Sequence, residues 1–253
     1  MIHIATVHHE SAAWIELQHE YLHRFIAEPF RVYASLQGIS SDYERFFDVV
    51  VPSVGLHMGK LNYLGYVILE HAADDDLIIF LDGDAFPIAD PIGPVRALLQ
   101  GNALAAVCRA ENVGDRQPHP CFCAVPAAVW RDLPGDWSSG YCFAENRSDV
   151  GANLLYLLEK AGMPWAPILR SNRHDLHPVF FGVYGGFLYH HGGGFRRTKV
   201  TKTDWFEIRD QLPLDGSVPM KDLVVERAAD NARLSEQVYA EIQADRDFFR
   251  RFE

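Results

Sequence analysis

Five consecutive apolar residues, Leu77-Ile78-Ile79-Phe80-Leu81, run directly into Asp82-Gly83-Asp84, and no other stretch constrains the fold as strongly. Without polar alternation such a run reads as a strand buried on both faces, which belongs in a parallel sheet covered by helices on each side. An α/β architecture follows. Ligands in open α/β sheets bind at the carboxyl ends of strands, so Asp82 and Asp84 emerge where chemistry is normally done. Gly83 is expected to let the backbone turn and a ligand approach closely. Alternate residues of an extended segment point the same way, so the two carboxylates can face one divalent cation, with oxygen donors suited to Mg²⁺ or Mn²⁺.

The chain has 253 residues, room for one α/β domain with elaborations. Its formal charge of −11 argues against a nucleic-acid or anionic-membrane surface. No apolar run reaches membrane-spanning length, and Met1 to Val7 lacks a basic segment followed by an apolar one, so neither a signal peptide nor a membrane span is expected. Cysteines at 108, 121, 123 and 142 do not make a disulfide scaffold, and a cytoplasmic location is the expectation. His119, Cys121, Cys123 and Cys142 lack the paired spacing of a zinc site.

Taken in order, Ile2 to Val7 reads as a first strand, with the polar His8-His9-Glu10-Ser11 expected in the loop after it. Thr6 and His8 are therefore candidates for contact with a bound nucleotide at the same sheet edge. Trp14, Leu17, Tyr21, Leu22 and Phe25 recur at helical spacing, Phe30 to Leu36 reads as a second strand, and Phe46 to Val51 as a third. Gly55 to Leu69 is a glycine-containing loop entering a helix. Its backbone N–H groups, with Lys60 in the first turn, suit a diphosphate or a base edge, although a solvated lysine would look the same. Asp74-Asp75-Asp76 reads as a solvated turn, Ala103 to Cys108 and His119 to Val125 as strands, and the polar loop Arg170 to Pro178 as an acceptor border or plain surface. Ser148 or Asp149 is placed to cap a helix reaching Ala161. Phe187 to His190 reads as a strand running into His191 and three glycines. Beyond residue 201, a charged helix from Lys221 to about Phe252 carries a partial apolar stripe, fit to pack on the domain or on another subunit.

Phe80-Leu81-Asp82-Gly83-Asp84-Ala85 resembles the Asp-x-Asp signature of nucleotide-sugar-dependent glycosyltransferases of the GT-A fold. His190-x-x-Gly193-x-x-Arg196 resembles the His-x-x-Gly-x-x-Lys motif of the glycogenin-like retaining enzymes, with arginine for lysine. Asp149 to Leu155 is similar to their Asp-Gln-x-Leu-Leu-Asn segment, with Val150 for the glutamine. The resemblance covers most of residues 1–200 and implies one Rossmann-like GT-A domain there, with a mostly parallel central sheet flanked by helices; the charged residues 201–253 are read as a C-terminal helical extension.

It also implies sugar transfer from a nucleoside diphosphate to a hydroxyl acceptor, with retention at the anomeric carbon. Asp82, Asp84 and His190, or His191 in its place, would hold Mn²⁺ or Mg²⁺. Lys60, Gly193 and Arg196 would meet the diphosphate, and Asp149 would orient the sugar. Two other readings compete: a Mg²⁺-dependent phosphohydrolase using Asp82 and Asp84, and a catalytically silent protein that binds nucleotide-sugar. The identity of the base, sugar and acceptor, and the oligomeric state, are not encoded in short motifs.

Overall fold

The computed structural model describes residues 1–139, 149–193, 200–212 and 219–253. A seven-stranded sheet forms its centre, in the order β3-β2-β1-β4-β7-β6-β8. The first four are β1 (Ile2–His9), β2 (Phe30–Gln37), β3 (Val49–Val51) and β4 (Leu77–Asp82), followed along the chain by β6 (Ala105–Val107), β7 (His119–Pro126) and β8 (Ala166–Ile168). All pairings are parallel except those that β7 makes with β4 and β6. The fold is thus α/β with a mostly parallel mixed sheet.

The β4 run behaves as its composition requires. Ile79 and Leu81 enter one core cluster and Ile78 and Phe80 the other, so both faces are buried. The helices that cover them are α1 (Ile15–Phe25), α2 (His57–Leu69), α3 (Ile92–Leu98), α4 (Ala127–Asp132) and α5 (Ala152–Ala161). A second sheet of three short strands, in the order β5-β10-β9, stands beside the first. It contains β5 (Ala85–Pro87), β9 (Gly182–Tyr184) and β10 (Leu188–His190).

The C-terminal part forms α6 (Lys202–Gln211), α7 (Met220–Ala244) and a 3-10 helix (Phe248–Phe252). Val238, Ile242, Phe248 and Phe252 join Trp14, Tyr21, Phe86 and Tyr189 in a third apolar cluster. Its stripe packs on the chain's own strands and helices. Burying each such side chain contributes about 1.5–3 kcal/mol. Tyr21 donates its hydroxyl hydrogen to the Arg246 carbonyl (2.6 Å), and Tyr239 to that of Ala13 (2.9 Å). Among the described residues no helix is long and apolar enough to cross a membrane.

Several local expectations are corrected. His8 and His9 lie within β1, where they pair in register with Leu36 and Gln37 of β2, and not in a loop. The third strand is shorter than the expected Phe46 to Val51: Phe46 ends a 3-10 helix (Ser41–Phe46), β3 begins only at Val49, and the Asp48 carboxylate before it accepts from the Val32 N–H (2.8 Å). Asp76 is buried, not solvated. It accepts from the chain's terminal ammonium, from His3 Nε2 (3.1 Å) and from the Ala73 N–H (2.9 Å), tying β1 to the turn before β4. α5 is capped by Gly151 at φ 94°, not by Asp149, and a Cβ there would stand 2.0 Å from the Pro118 carbonyl oxygen. The last long helix stops at Ala244. Ser148 and Cys142 lie outside the described residues.

Candidate metal centre at the strand ends

Two antiparallel neighbours bring the acidic pair and the imidazole together. β4 delivers Asp82, the chain turns through Gly83 and Asp84, and β5 leads away beginning at Ala85. β10 pairs with β5 so that His190 lies opposite Ala85, and the His191 N–H donates to the Asp84 carbonyl (3.0 Å). His190 Nε2 then stands 3.4 Å from Asp84 Oδ1 and 3.9 Å from Asp82 Oδ2. One donor atom from each of the three residues lies within 4.8 Å of the others, the only such group among the described residues.

The electrostatics of this cluster favour positive charge. Burial works against charge on the His190 imidazole, yet Cys121 and Asp84 together hold its pKa well above the usual histidine range. Asp82 Oδ1 and His190 Nδ1 are buried and accept or donate no hydrogen bond among the described residues. Two carboxylates and one imidazole make a donor set that fits Mn²⁺, or Mg²⁺ with less preference for the nitrogen. The Nε2 of His57, the first residue of α2, lies 3.2 Å from Asp82 Oδ1 without the alignment of a hydrogen bond.

His191 is differently employed. Its Nδ1 lies 2.9 Å from the Tyr189 hydroxyl and its Nε2 2.7 Å from Ser235 Oγ on α7, so both ring nitrogens face the protein interior. Gly193 sits at φ 77°, and Arg196 lies outside the described residues. Lys60 is buried at 4% exposure, donates to Gln37 Oε1, and has no carboxylate partner among the described residues. Burial lowers its pKa from the ordinary lysine value. Asp149 accepts from its neighbour's N–H at Val150 (2.8 Å) and pairs with Arg109 (3.3 Å), which also holds Asp115 (2.9 Å). Burial opposes the Arg109 charge, but Asp115 and Asp149 raise its pKa further above the usual range. The Arg170 loop is internally tied, the guanidinium reaching Asp175 (2.7 Å) and the carbonyl of His177 (3.0 Å).

Thr6 and His8 both meet Gln18. The Thr6 hydroxyl donates to Gln18 Oε1 (3.1 Å) and His8 Nε2 lies 3.3 Å from the same oxygen. Burial pushes the His8 pKa down to about 4, so the ring is neutral at neutral pH, and the tautomer with hydrogen on Nε2 is the one that suits Gln18 Oε1, an acceptor because Gln18 Nε2 donates to two carbonyls. Gly83 is required by this packing: a Cβ there would stand 2.6 Å from the Val7 carbonyl oxygen and 2.7 Å from His8 Nδ1. The close approach expected of a ligand is made by β1.

Sequence reasoning missed His57 and Gln18. A signal existed for Gln18, a polar side chain on the apolar face of α1 between Leu17 and Tyr21. His57 is the residue on which the glycine-flanked loop turns into α2, and nothing in its spacing marks Asp82 as its neighbour.

No protein-family model matches the chain, and no curated protein matches it in sequence. Among solved structures, the mannosyltransferase PcManGT from Pyrobaculum calidifontis, in complex with GDP-Man and Mn²⁺, is 11% identical at TM-score 0.47, covering 66% of this chain and 54% of that one. The galactosyltransferase LgtC, in complex with donor and acceptor sugar analogues, is 14% identical at TM-score 0.48, over 88% of this chain and 95% of LgtC. The apo glycosyltransferase GlyE of Streptococcus pneumoniae TIGR4 is 13% identical at TM-score 0.48, over 91% and 64%. The chain thus spans about half the length of PcManGT, and only 30% of TarS of S. aureus. At this level of likeness the functional argument rests on the chain's own residues.

Proposed function

We propose that this protein is a metal-dependent GT-A glycosyltransferase that moves a sugar from a nucleoside-diphosphate donor to a hydroxyl acceptor. The observation that carries the reading is the convergence of Asp82 at the end of β4, Asp84 in the turn after it and His190 on β10, at the carboxyl edge of a mostly parallel sheet. Asp82, Asp84 and His190 would hold Mn²⁺ or Mg²⁺. Such a cation supplies Lewis-acid neutralisation of a leaving diphosphate.

The chain's own groups do the rest. Lys60, a buried cation without a carboxylate partner among the described residues, is available to an anionic phosphate, and Arg196 adds charge from the segment after Gly193. Asp149, half-exposed and fixed by Arg109, orients the sugar. The order of the motifs supports transfer with retention. Thr6 and His8 act on the site through Gln18, which is a narrower role than direct contact with the nucleotide.

The test is release of nucleoside diphosphate from a panel of sugar donors with Mn²⁺, with and without EDTA. Metal-dependent release from one donor, lost in Asp84→Asn, is the expected result. Hydrolysis of a generic phosphate ester without release from any sugar donor would overturn the reading in favour of a phosphohydrolase. Binding of a donor with no turnover for any acceptor would make the chain a silent binder.

A further inference from the structure

Gln18 is 1% exposed, and its side-chain amide uses every hydrogen-bonding position it has. Nε2 donates one hydrogen to the Asp82 carbonyl and the other to the Ala85 carbonyl, each at 2.8 Å. Oε1 accepts from the Thr6 hydroxyl (3.1 Å) and from His8 Nε2 (3.3 Å). This arrangement fixes the orientation of the amide. Reversed, its oxygen would face two carbonyl oxygens and both donated bonds would vanish.

The two accepting carbonyls flank Gly83 and Asp84, so one side chain on α1 spans the turn that carries both acidic groups. The Val7 carbonyl and the His8 ring leave no room for a side chain at Gly83 in the same turn. His190 reaches the carboxylates from β10, whose own placement depends on pairing with Ala85. The Gln18 bond to Ala85 therefore fixes the origin of β5 as well as the turn.

We propose that Gln18 is a positioning residue for the cation site: its amide sets the backbone between Asp82 and Ala85, so that the two carboxylates present the spacing that His190 completes. The proposal rests on the metal-dependent reading of that site. Any buried amide needs partners; what sets this one apart is that both of its donors go to the two carbonyls that bracket the acidic turn. Loss of an outer partner that orients metal ligands typically weakens metal binding about 10–100-fold.

Manganese titration followed by electron paramagnetic resonance tests this without turnover. The parent chain, Gln18→Met, Gln18→Glu and a distant core truncation, Leu158→Ala on α5, are compared at a temperature where circular dichroism shows each folded. Gln18→Met keeps the volume and loses both donors. Gln18→Glu keeps the acceptors for Thr6 and His8 but loses donation to the carbonyls, and by charge alone it would tighten cation binding. The expected result is a Mn²⁺ dissociation constant raised about tenfold or more in both Gln18 variants, with Leu158→Ala within twofold of the parent. Parent-like or tighter binding in Gln18→Glu, or in a folded Gln18→Met, overturns the proposal while leaving the metal site standing. A parent chain that binds no Mn²⁺ overturns both.

Discussion

Gly83 and Asp82 illustrate how residue-scale constraints at this site come from the protein's own backbone. Sequence identified the Asp82-Gly83-Asp84 triplet and gave the glycine a ligand-facing reason, whereas its contact is with Val7 and His8. The strand order that puts β1 against β4 is a long-range fact, invisible in a local triplet. Gly83→Ala is therefore expected to cost about 1–3 kcal/mol through overpacking, read as a lower urea midpoint in ligand-free protein. An unchanged midpoint would mean that the turn has room for a side chain. Asp76 makes a second residue-scale prediction. Burial works against its charge, but bonds from the terminal ammonium, Ala73 and His3 bring its pKa down to about 2. A carboxyl depressed in the folded state contributes stability above its unfolded pKa near 4, and that stability is lost as pH falls toward 2. Asp76→Asn should flatten that part of the acid-unfolding curve and cost about 1–3 kcal/mol at neutral pH, because buried donors lose a charged acceptor.

Among the elements, those with strong periodicity were legible and those defined by pairing were not. β4 and β1 could be read from runs of apolar and β-branched residues, and α1 from helical spacing, because each carries its burial pattern locally. The extent of β1 through His9 could not, since two histidines are extended there only because β2 lies alongside. β10 is three residues long and owes its existence to β5 and β9. This pairing also brings His190, rather than His191, to face the acidic pair, with His191 turned to Ser235. The element-scale expectation is that His190→Ala lowers Mn²⁺ affinity while leaving the fold intact. His191→Ala should instead lower the unfolding temperature by removing a fully buried ring bonded between β10 and α7. Equal effects on metal affinity would contradict that division of labour.

At the scale of the whole molecule, the C-terminal helices are joined to the strands that build the site. Ile242 is fully buried in the same cluster as Trp14, Phe86 and Tyr189, and Phe86 and Tyr189 belong to the two paired strands β5 and β10. The sequence expectation of a 201–253 extension packed on the domain or on a partner subunit left the two surfaces open, because composition does not reveal what an apolar stripe packs against, and here the stripe meets the chain's own β5 and β10 residues. Ile242→Ala should cost about 2–5 kcal/mol and lower one cooperative transition; two transitions would indicate an extension that unfolds independently. The central claim remains the cation and nucleotide site where β4, β5 and β10 meet. Its most direct test is thermal unfolding of the parent and of Asp84→Asn with a panel of nucleoside diphosphates, with and without Mn²⁺. A ligand at about 100 times its dissociation constant adds about 2.7 kcal/mol, a rise of about 5–11 °C for a chain of this size. The account predicts such a rise with one nucleotide, dependent on Mn²⁺ and lost in Asp84→Asn; no rise with any nucleotide, or one that persists in the variant without metal, would contradict it.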